Sequence, residues 1–193
     1  MENVIVISSS SSAAGNLSAF LRDTFHCQVT IADSAQQARS IISSKRTFEL
    51  VLINSPLADE AGIELAEYAS ESTAASCIVL VKSENFEKIS PRADKSDIIL
   101  VAKPFSKQVL YQVIKAVSSA IRRSYALYEE TVRLERQIDE IKIIDKAKFR
   151  LMQYRNMTEE EAHSYLEQYA MKNRKKKVIA ASEIIDKIAE QYF

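Results

Sequence analysis

Glycine is nearly missing from this chain, whose 193 residues contain only Gly15 and Gly62. Phosphate-cradling loops and dinucleotide fingerprints need several glycines for close backbone approach, so this scarcity counts against both. Cysteine is equally sparse. Cys27 and Cys77 stand in separate apolar surroundings without ligand or redox spacing, which reads as two buried free thiols in a reduced, cytoplasmic chain. No apolar run approaches the roughly 20 residues of a bilayer-spanning helix, and Met1-Glu2-Asn3 leads straight into a short apolar strand, so neither membrane insertion nor secretion is expected. His26 and His163 are too far apart, and too poorly accompanied by acids, for a metal site or a triad. With no Ser-His-Asp set, no paired carboxylates and no cysteine nucleophile motif, the chain is expected to be neither an enzyme nor a metal or cofactor binder. An excess of charge is also lacking. Lys+Arg and Asp+Glu each total 26, so a nucleic-acid surface must come from local clustering.

What is present is alternation. Short apolar runs, Val4-Ile7, Val29-Ala32, Leu50-Asn54, Ile78-Val81 and Ile98-Ala102, alternate with helical patterns up to about residue 120. Leu17/Phe20/Leu21, Ala35/Ala38/Ile41/Ile42 and Ile63/Leu65/Ala66 carry helical spacing, and a fifth helix begins near Ser106 with Val109, Leu110, Val113, Ile114 and Val117 facing inward. The segment after Glu84 has fewer apolar anchors and is the weakest helix of the set. Five βα units in this order predict an α/β, doubly wound, five-stranded parallel sheet of flavodoxin-like type.

This half resembles the receiver domain of two-component response regulators. Lys103-Pro104-Phe105 after the fifth strand matches the family's Lys-Pro-Phe, and Asn54-Ser55-Pro56-Leu57-Ala58-Asp59-Glu60-Ala61-Gly62 follows the third strand as the family's loop does. The acidic residues that hold Mg²⁺ in receivers are replaced by Ser8 and Ser9, although a hard divalent ion is bound mainly through carboxylate oxygens. At the phosphoacceptor position stands Asn54, an uncharged amide and a poor nucleophile. The family's hydroxyl sensor is Val81, which has no hydrogen-bonding atom. Only Lys103 of the usual set remains, expected to snorkel at the sheet edge against Asn54 or Ser8. The resemblance therefore implies a degenerate phosphorylation site in a pseudo-receiver. The serine run Ser8 to Ser12 either cradles an anion or forms a loop, and the loop is the expectation.

From Ser118 to Met152 the pattern runs on without glycine or proline, predicting one long helix. Leu127, Leu134 and Ile141 repeat at heptad spacing, Ile138 fills one intervening position and Thr131 weakens another. Glu129, Glu130, Arg133, Glu135, Arg136, Asp139 and Glu140 fit flanking positions. The expectation is a homodimeric coiled coil; the alternative is a stripe packed on its own domain.

The last quarter contains Ala147-Lys148-Phe149-Arg150-Leu151-Met152, then Thr158-Glu159-Glu160-Glu161-Ala162, then Asn173-Arg174-Lys175-Lys176-Lys177-Val178-Ile179-Ala180. Thr158 with Glu161 is a capping box that starts a helix. That helix would bury Ala162, Tyr165, Leu166, Tyr169 and Ala170, and the next Val178, Ile179, Ser182, Ile185 and Ile188. These blocks resemble the ANTAR domain, a three-helix RNA-binding module of bacterial transcription antiterminators, over roughly residues 134 to 190. Two positions depart from that pattern: Phe149 stands where glycine is usual and Ile141 where arginine is common. Three segments are thus expected, a receiver-like domain over 1–120, a coiled-coil linker helix over 121–136 and an all-α three-helix bundle over 137–193.

Lys172, Arg174, Lys175, Lys176 and Lys177 gather around one turn with Asn173 among them, a pattern that attracts a phosphate backbone. Lys148, Arg150 and Arg155 would extend the patch if the bundle brings them to that turn, and Tyr154 is the candidate base-stacking partner. The resemblance implies an antitermination regulator that binds hairpins in nascent leader RNA, controlled without aspartate phosphorylation by a protein partner, a ligand or dimerisation. The alternative is an interaction scaffold whose bundle has lost RNA binding. A helix-turn-helix DNA reader is weaker, because the third helix has few side chains suited to base edges.

Overall fold

The computed structural model describes residues 1–44 and 47–192 and divides into two compact units, Met1–Tyr125 and Ala126–Phe193. In the first unit, β1 (Asn3–Ile7), β2 (Gln28–Ala32), β3 (Leu50–Asn54), β4 (Ser76–Lys82) and β5 (Ile99–Lys103) form one parallel sheet in the order β2-β1-β3-β4-β5. The helices between them are α1 (Ser11–Phe25), α2 (Ala35–Ser43), α3 (Ile63–Ser72) and α4 (Ser83–Lys95), and α5 (Lys107–Arg155) follows β5. Strand side chains alternate between faces, and each face is covered. Ile5, Ile7, Val51, Ile53, Cys77 and Val79 pack under α2, α3 and Ala93 of α4. Val4, Val6, Leu50, Leu52, Ile78 and Leu80 pack under α1 and the first turns of α5, through Leu110, Ile114 and Val117. The doubly wound architecture is the one expected, with two local corrections. Val109 lies on the outer side of α5. The serine run is a loop only through Ser10, whose side chain accepts the Ala13 amide and caps α1, while Ser11 and Ser12 are already helical.

Both cysteines are free and buried, and burial pushes the Cys77 thiol up to about 12. The weakest predicted helix, α4, buries only Ala93 and contains Pro91. Arg92 ties it to α3 by ion pairs to Glu64 at 3.0 Å and Glu67 at 2.7 Å. Gly62, which precedes α3, has φ +94, and a Cβ there would come within 3.1 Å of Ile53 Cγ2, so only glycine fits without displacement.

In the second unit, the last turns of α5 pack with α6 (Glu159–Lys172) and α7 (Lys177–Tyr192). The core is Ala147, Leu151, Ala162, Leu166, Ala170, Ala180, Ala181, Ile184 and Ile188. Alanines at the contacts let helix axes approach closely, which sets a narrow seam. The capping box of α6 is formed as expected, with the Thr158 amide donating to Glu161 at 2.8 Å and the Glu161 amide to the Thr158 hydroxyl at 3.2 Å. The inward face of α7 differs from the expectation. Ile179 is 47% exposed and Ser182 is exposed, while Ala180, Ala181 and Ile184 point inward with Ile188. The stripe follows the i, i+4, i+8 series 180-184-188, which small alanines hide from a reading that weighs bulk. Among the described residues, no helix is long and apolar enough to cross a membrane.

Candidate nucleic-acid interface and the switch-point cluster

In a doubly wound sheet, ligands bind where the strand order reverses, beyond the carboxyl ends of the central strands. Here that point lies between β1 and β3, and Ser8, Asn54 and Lys103 meet there. Asn54 donates through Nδ2 to the Ser8 hydroxyl at 3.0 Å, and Lys103 Nζ donates to Asn54 Oδ1 at 2.9 Å and to the Ser55 carbonyl. Ser8 is buried and also donates to the Ser10 carbonyl at 3.2 Å. Ser9 reaches the Pro56 carbonyl at 3.5 Å, and Val81 is fully enclosed in the sheet core. Burial lowers the Lys103 pKa, with the Lys82 charge adding a smaller push in the same direction. A receiver's Mg²⁺ does not fit this cluster, since two hydroxyls and an amide held by an ammonium offer no carboxylate. Among the described residues no group of three or more metal-ligating side chains of the His, Cys, Asp or Glu type is assembled elsewhere.

The basic turn of the second unit closes α6 with a Schellman arrangement. The Lys175 amide reaches back to the Ala170 carbonyl at 2.9 Å, the Arg174 amide to Met171 at 3.1 Å, and Arg174 itself has φ 53. Asn173 spends its amide on the Tyr169 carbonyl at 2.8 Å, so it shapes the turn. The cations separate into two groups. Lys175 pairs with Glu183 and Lys177 with Glu167, and each lysine holds its carboxyl partner below the ordinary range. Lys172, Arg174 and Lys176 are exposed and, among the described residues, lack a carboxylate partner, which leaves three charges available to phosphate.

Lys148, Arg150 and Arg155, the residues of α5 expected to extend the patch, are each engaged by partners away from this turn's own residues. Lys148 is pinned by Asp145 at 2.9 Å and Glu159 at 3.1 Å, and these two acids raise its pKa in that order. Glue to Glu159 places it at the first turn of α6, about 20 Å along the helix from Lys172 at 1.5 Å per residue. Arg150 lies over the Tyr154 ring at 5.5 Å and donates to its hydroxyl at 3.1 Å, with Tyr154 packed against the helical core. Arg155 lies over the Tyr165 ring at 5.6 Å and donates to its hydroxyl at 3.3 Å.

Helical spacing predicts Tyr165 and Tyr169 in the core, yet both are partly exposed and stack on each other with ring centroids 6.4 Å apart. Lys187 sits 4.9 Å above the Tyr169 ring. The i, i+4 spacing of the two tyrosines was the available signal. Of the two departures noted in the sequence, Phe149 is 62% exposed, so it extends the surface and does not crowd a helix crossing, and Ile141 is exposed on α5. Leu127, Leu134, Ile138 and Ile141 are between 49% and 70% exposed, so the stripe does not pack on its own unit. His26 ends α1 in a left-handed conformation, and His163 lies 3.2 Å from Glu167 on the surface of α6.

Comparison with known proteins agrees with both halves. Residues 132–185 match the ANTAR domain family. The fold is that of a response regulator from Clostridium difficile (TM-score 0.55, 17% identity, 62% of this chain and 97% of that one). It is likewise that of a receiver domain protein from Clostridium thermocellum (TM-score 0.57, 18% identity, 66% of this chain and 99% of that one). Together these similarities place an ANTAR-family match in the C-terminal unit of a chain whose other part has the receiver fold. Among individual proteins, the chain is similar to the transcriptional regulatory protein PdtaR of Mycobacterium tuberculosis, with 24% identity over 159 residues, 82% of this chain and 77% of the relative.

Proposed function

We propose that this protein is a cytoplasmic, RNA-binding transcription antitermination regulator whose activity is binding and not catalysis. Its C-terminal unit engages hairpins in nascent leader RNA. The observation that carries the reading is the closed turn between α6 and α7, which holds Lys172, Arg174 and Lys176 exposed and, among the described residues, without acidic partners. The receiver-like domain acts as a pseudo-receiver: the amide of Asn54, bonded to both Ser8 and Lys103, provides neither the nucleophile nor the charge for acyl-phosphate formation. Control therefore comes from a protein partner, a ligand or dimerisation. The uncovered stripe on α5 supports a homodimer through a coiled coil.

The test is equilibrium binding of the full chain to a two-hairpin leader RNA across a salt series, beside the Lys172→Glu/Arg174→Glu/Lys176→Glu variant, with and without a small-molecule phosphodonor. The expected log-log salt slope is about −2 to −3 for three neutralised phosphates. Binding should vanish in the variant and be indifferent to the phosphodonor. A folded protein that binds no hairpin at low salt would leave the interaction scaffold as the better reading.

A further inference from the structure

Beside the turn that joins α5 to α6 lies an open cleft of about 450 Å³, lined by Arg155, Asn156, Met157, Glu161, Tyr165 and Gln168. Its chemistry differs from that of the basic turn. Arg155 brings one positive charge and Glu161 one negative, so the cleft offers no net attraction to a phosphate. Glu161 directs one carboxylate oxygen to the Thr158 amide at 2.8 Å and leaves the other as an acceptor. The guanidinium of Arg155, 5.6 Å above the Tyr165 ring and bonded to its hydroxyl at 3.3 Å, forms a flat platform. Asn156 and Gln168 add amide groups that both donate and accept. A planar platform, an apolar wall from Met157, and neutral hydrogen-bonding groups around them fit a heteroaromatic ring with polar edges.

From this cleft Tyr165, Tyr169 and Asn173 follow one stripe of α6, about 12 Å in length, to the basic turn. Cleft and turn thus share one helix face, phosphate chemistry at one end and ring chemistry at the other. Resting on the RNA-binding reading above, we infer that the cleft between Arg155 and Gln168 receives one unstacked nucleobase of a single-stranded RNA loop and supplies sequence preference, while Lys172, Arg174 and Lys176 hold the backbone. Tyr154, the stacking partner expected from sequence, is not the platform, since its ring faces the helical core and Arg150.

The experiment uses the full chain and a library of fixed-stem RNA hairpins with randomised loops. Sequences enriched by the wild-type protein are resynthesised with 2-aminopurine at each loop position in turn. One position is expected to change fluorescence on binding. Arg155→Ala and Gln168→Ala, both at exposed positions and checked for folding by circular dichroism, should each weaken the enriched hairpin about tenfold, as loss of a stacked base does. The randomised pool, most of which lacks the preferred base, should lose less affinity in both variants than the enriched hairpin does. Arg155→Lys keeps the charge and loses the platform, so it should behave as Arg155→Ala; full rescue by lysine would show a phosphate contact and overturn the inference. Wild-type affinity in both alanine variants, with binding still lost in the basic-turn variant, would overturn the inference alone. Absence of binding by the wild-type protein would overturn the RNA reading and the cleft with it.

Discussion

Arg174 occupies the position after α6 where glycine is most at ease, with φ 53 and its side chain exposed. An L-residue held there costs about 1–2 kcal/mol relative to glycine. Arg174→Gly should therefore raise unfolding stability by about 1 kcal/mol in a urea titration while lowering RNA affinity, because it relaxes the backbone and removes a phosphate contact. Effects of opposite sign in one variant separate the charge from the turn. If affinity is unchanged, Arg174 has only a structural place. At this scale the sequence was partly legible. That Lys103 would meet Asn54 or Ser8 follows from the ends of β5, β3 and β1 sharing one edge, and the structure links all three through the Asn54 amide. The splitting of the basic run was not legible. Lys175 and Lys177 find Glu183 and Glu167 on different helices, and which lysines are neutralised depends on how α6 and α7 are rotated about their axes.

The start of α2 shows how an element depends on a distant loop. Asp59 accepts the amides of Ala35 and Gln36, each at 2.9 Å, and satisfies two of the four free donors of the first turn. These two bonds lower the Asp59 pKa, the Ala35 amide first. A carboxyl with a depressed folded pKa stabilises the fold above its unfolded value, near 4, and that contribution is lost as pH falls through the folded value. Wild-type melting temperature should therefore exceed that of Asp59→Asn at neutral pH, and the gap should close on acidification below about pH 4. A gap that persists at pH 2 would mean that packing, not the charge, holds the helix start. The capping box of α6 was readable because Thr158 and Glu161 are three residues apart, a local signal. Asp59 lies 24 residues from Ala35, and only tertiary folding brings a carboxylate to that amide. The same distinction explains α7. Periodicity announced a helix, but alanines at 180 and 181 carry too little apolar bulk to mark the seam they form.

For the whole molecule, α5 supplies side chains to both cores, Leu110, Ile114 and Val117 to the first and Ala147 and Leu151 to the second. Between them it carries Leu127, Leu134, Ile138 and Ile141 to solvent, and Thr131 turns its hydroxyl onto the Leu127 carbonyl at 2.9 Å. A second copy would cover this stripe with the same residues, as a coiled coil requires. Leu134→Lys/Ile138→Lys should raise the dimer dissociation constant by at least about tenfold in sedimentation equilibrium, because two large apolar side chains per chain lose their burial. Helix content should hold within the two units; a wild-type protein that sediments as a monomer at high concentration would show that the stripe is not a dimer seam. The chain by itself determined the alternating α/β half, the loss of carboxylates at Ser8, Ser9 and Asn54, the heptad stripe and the basic turn. Each of these is a matter of residue type or of spacing along the chain. Tertiary structure alone decided that Lys148 is clamped between Asp145 of its own helix and Glu159 of α6, that three cations of the turn have no acidic partner among the described residues, and that Arg155 and Tyr165 form one platform. The physical reason is that pairing and burial depend on the rotation of each helix against its neighbours, which packing sets through contacts distant in sequence.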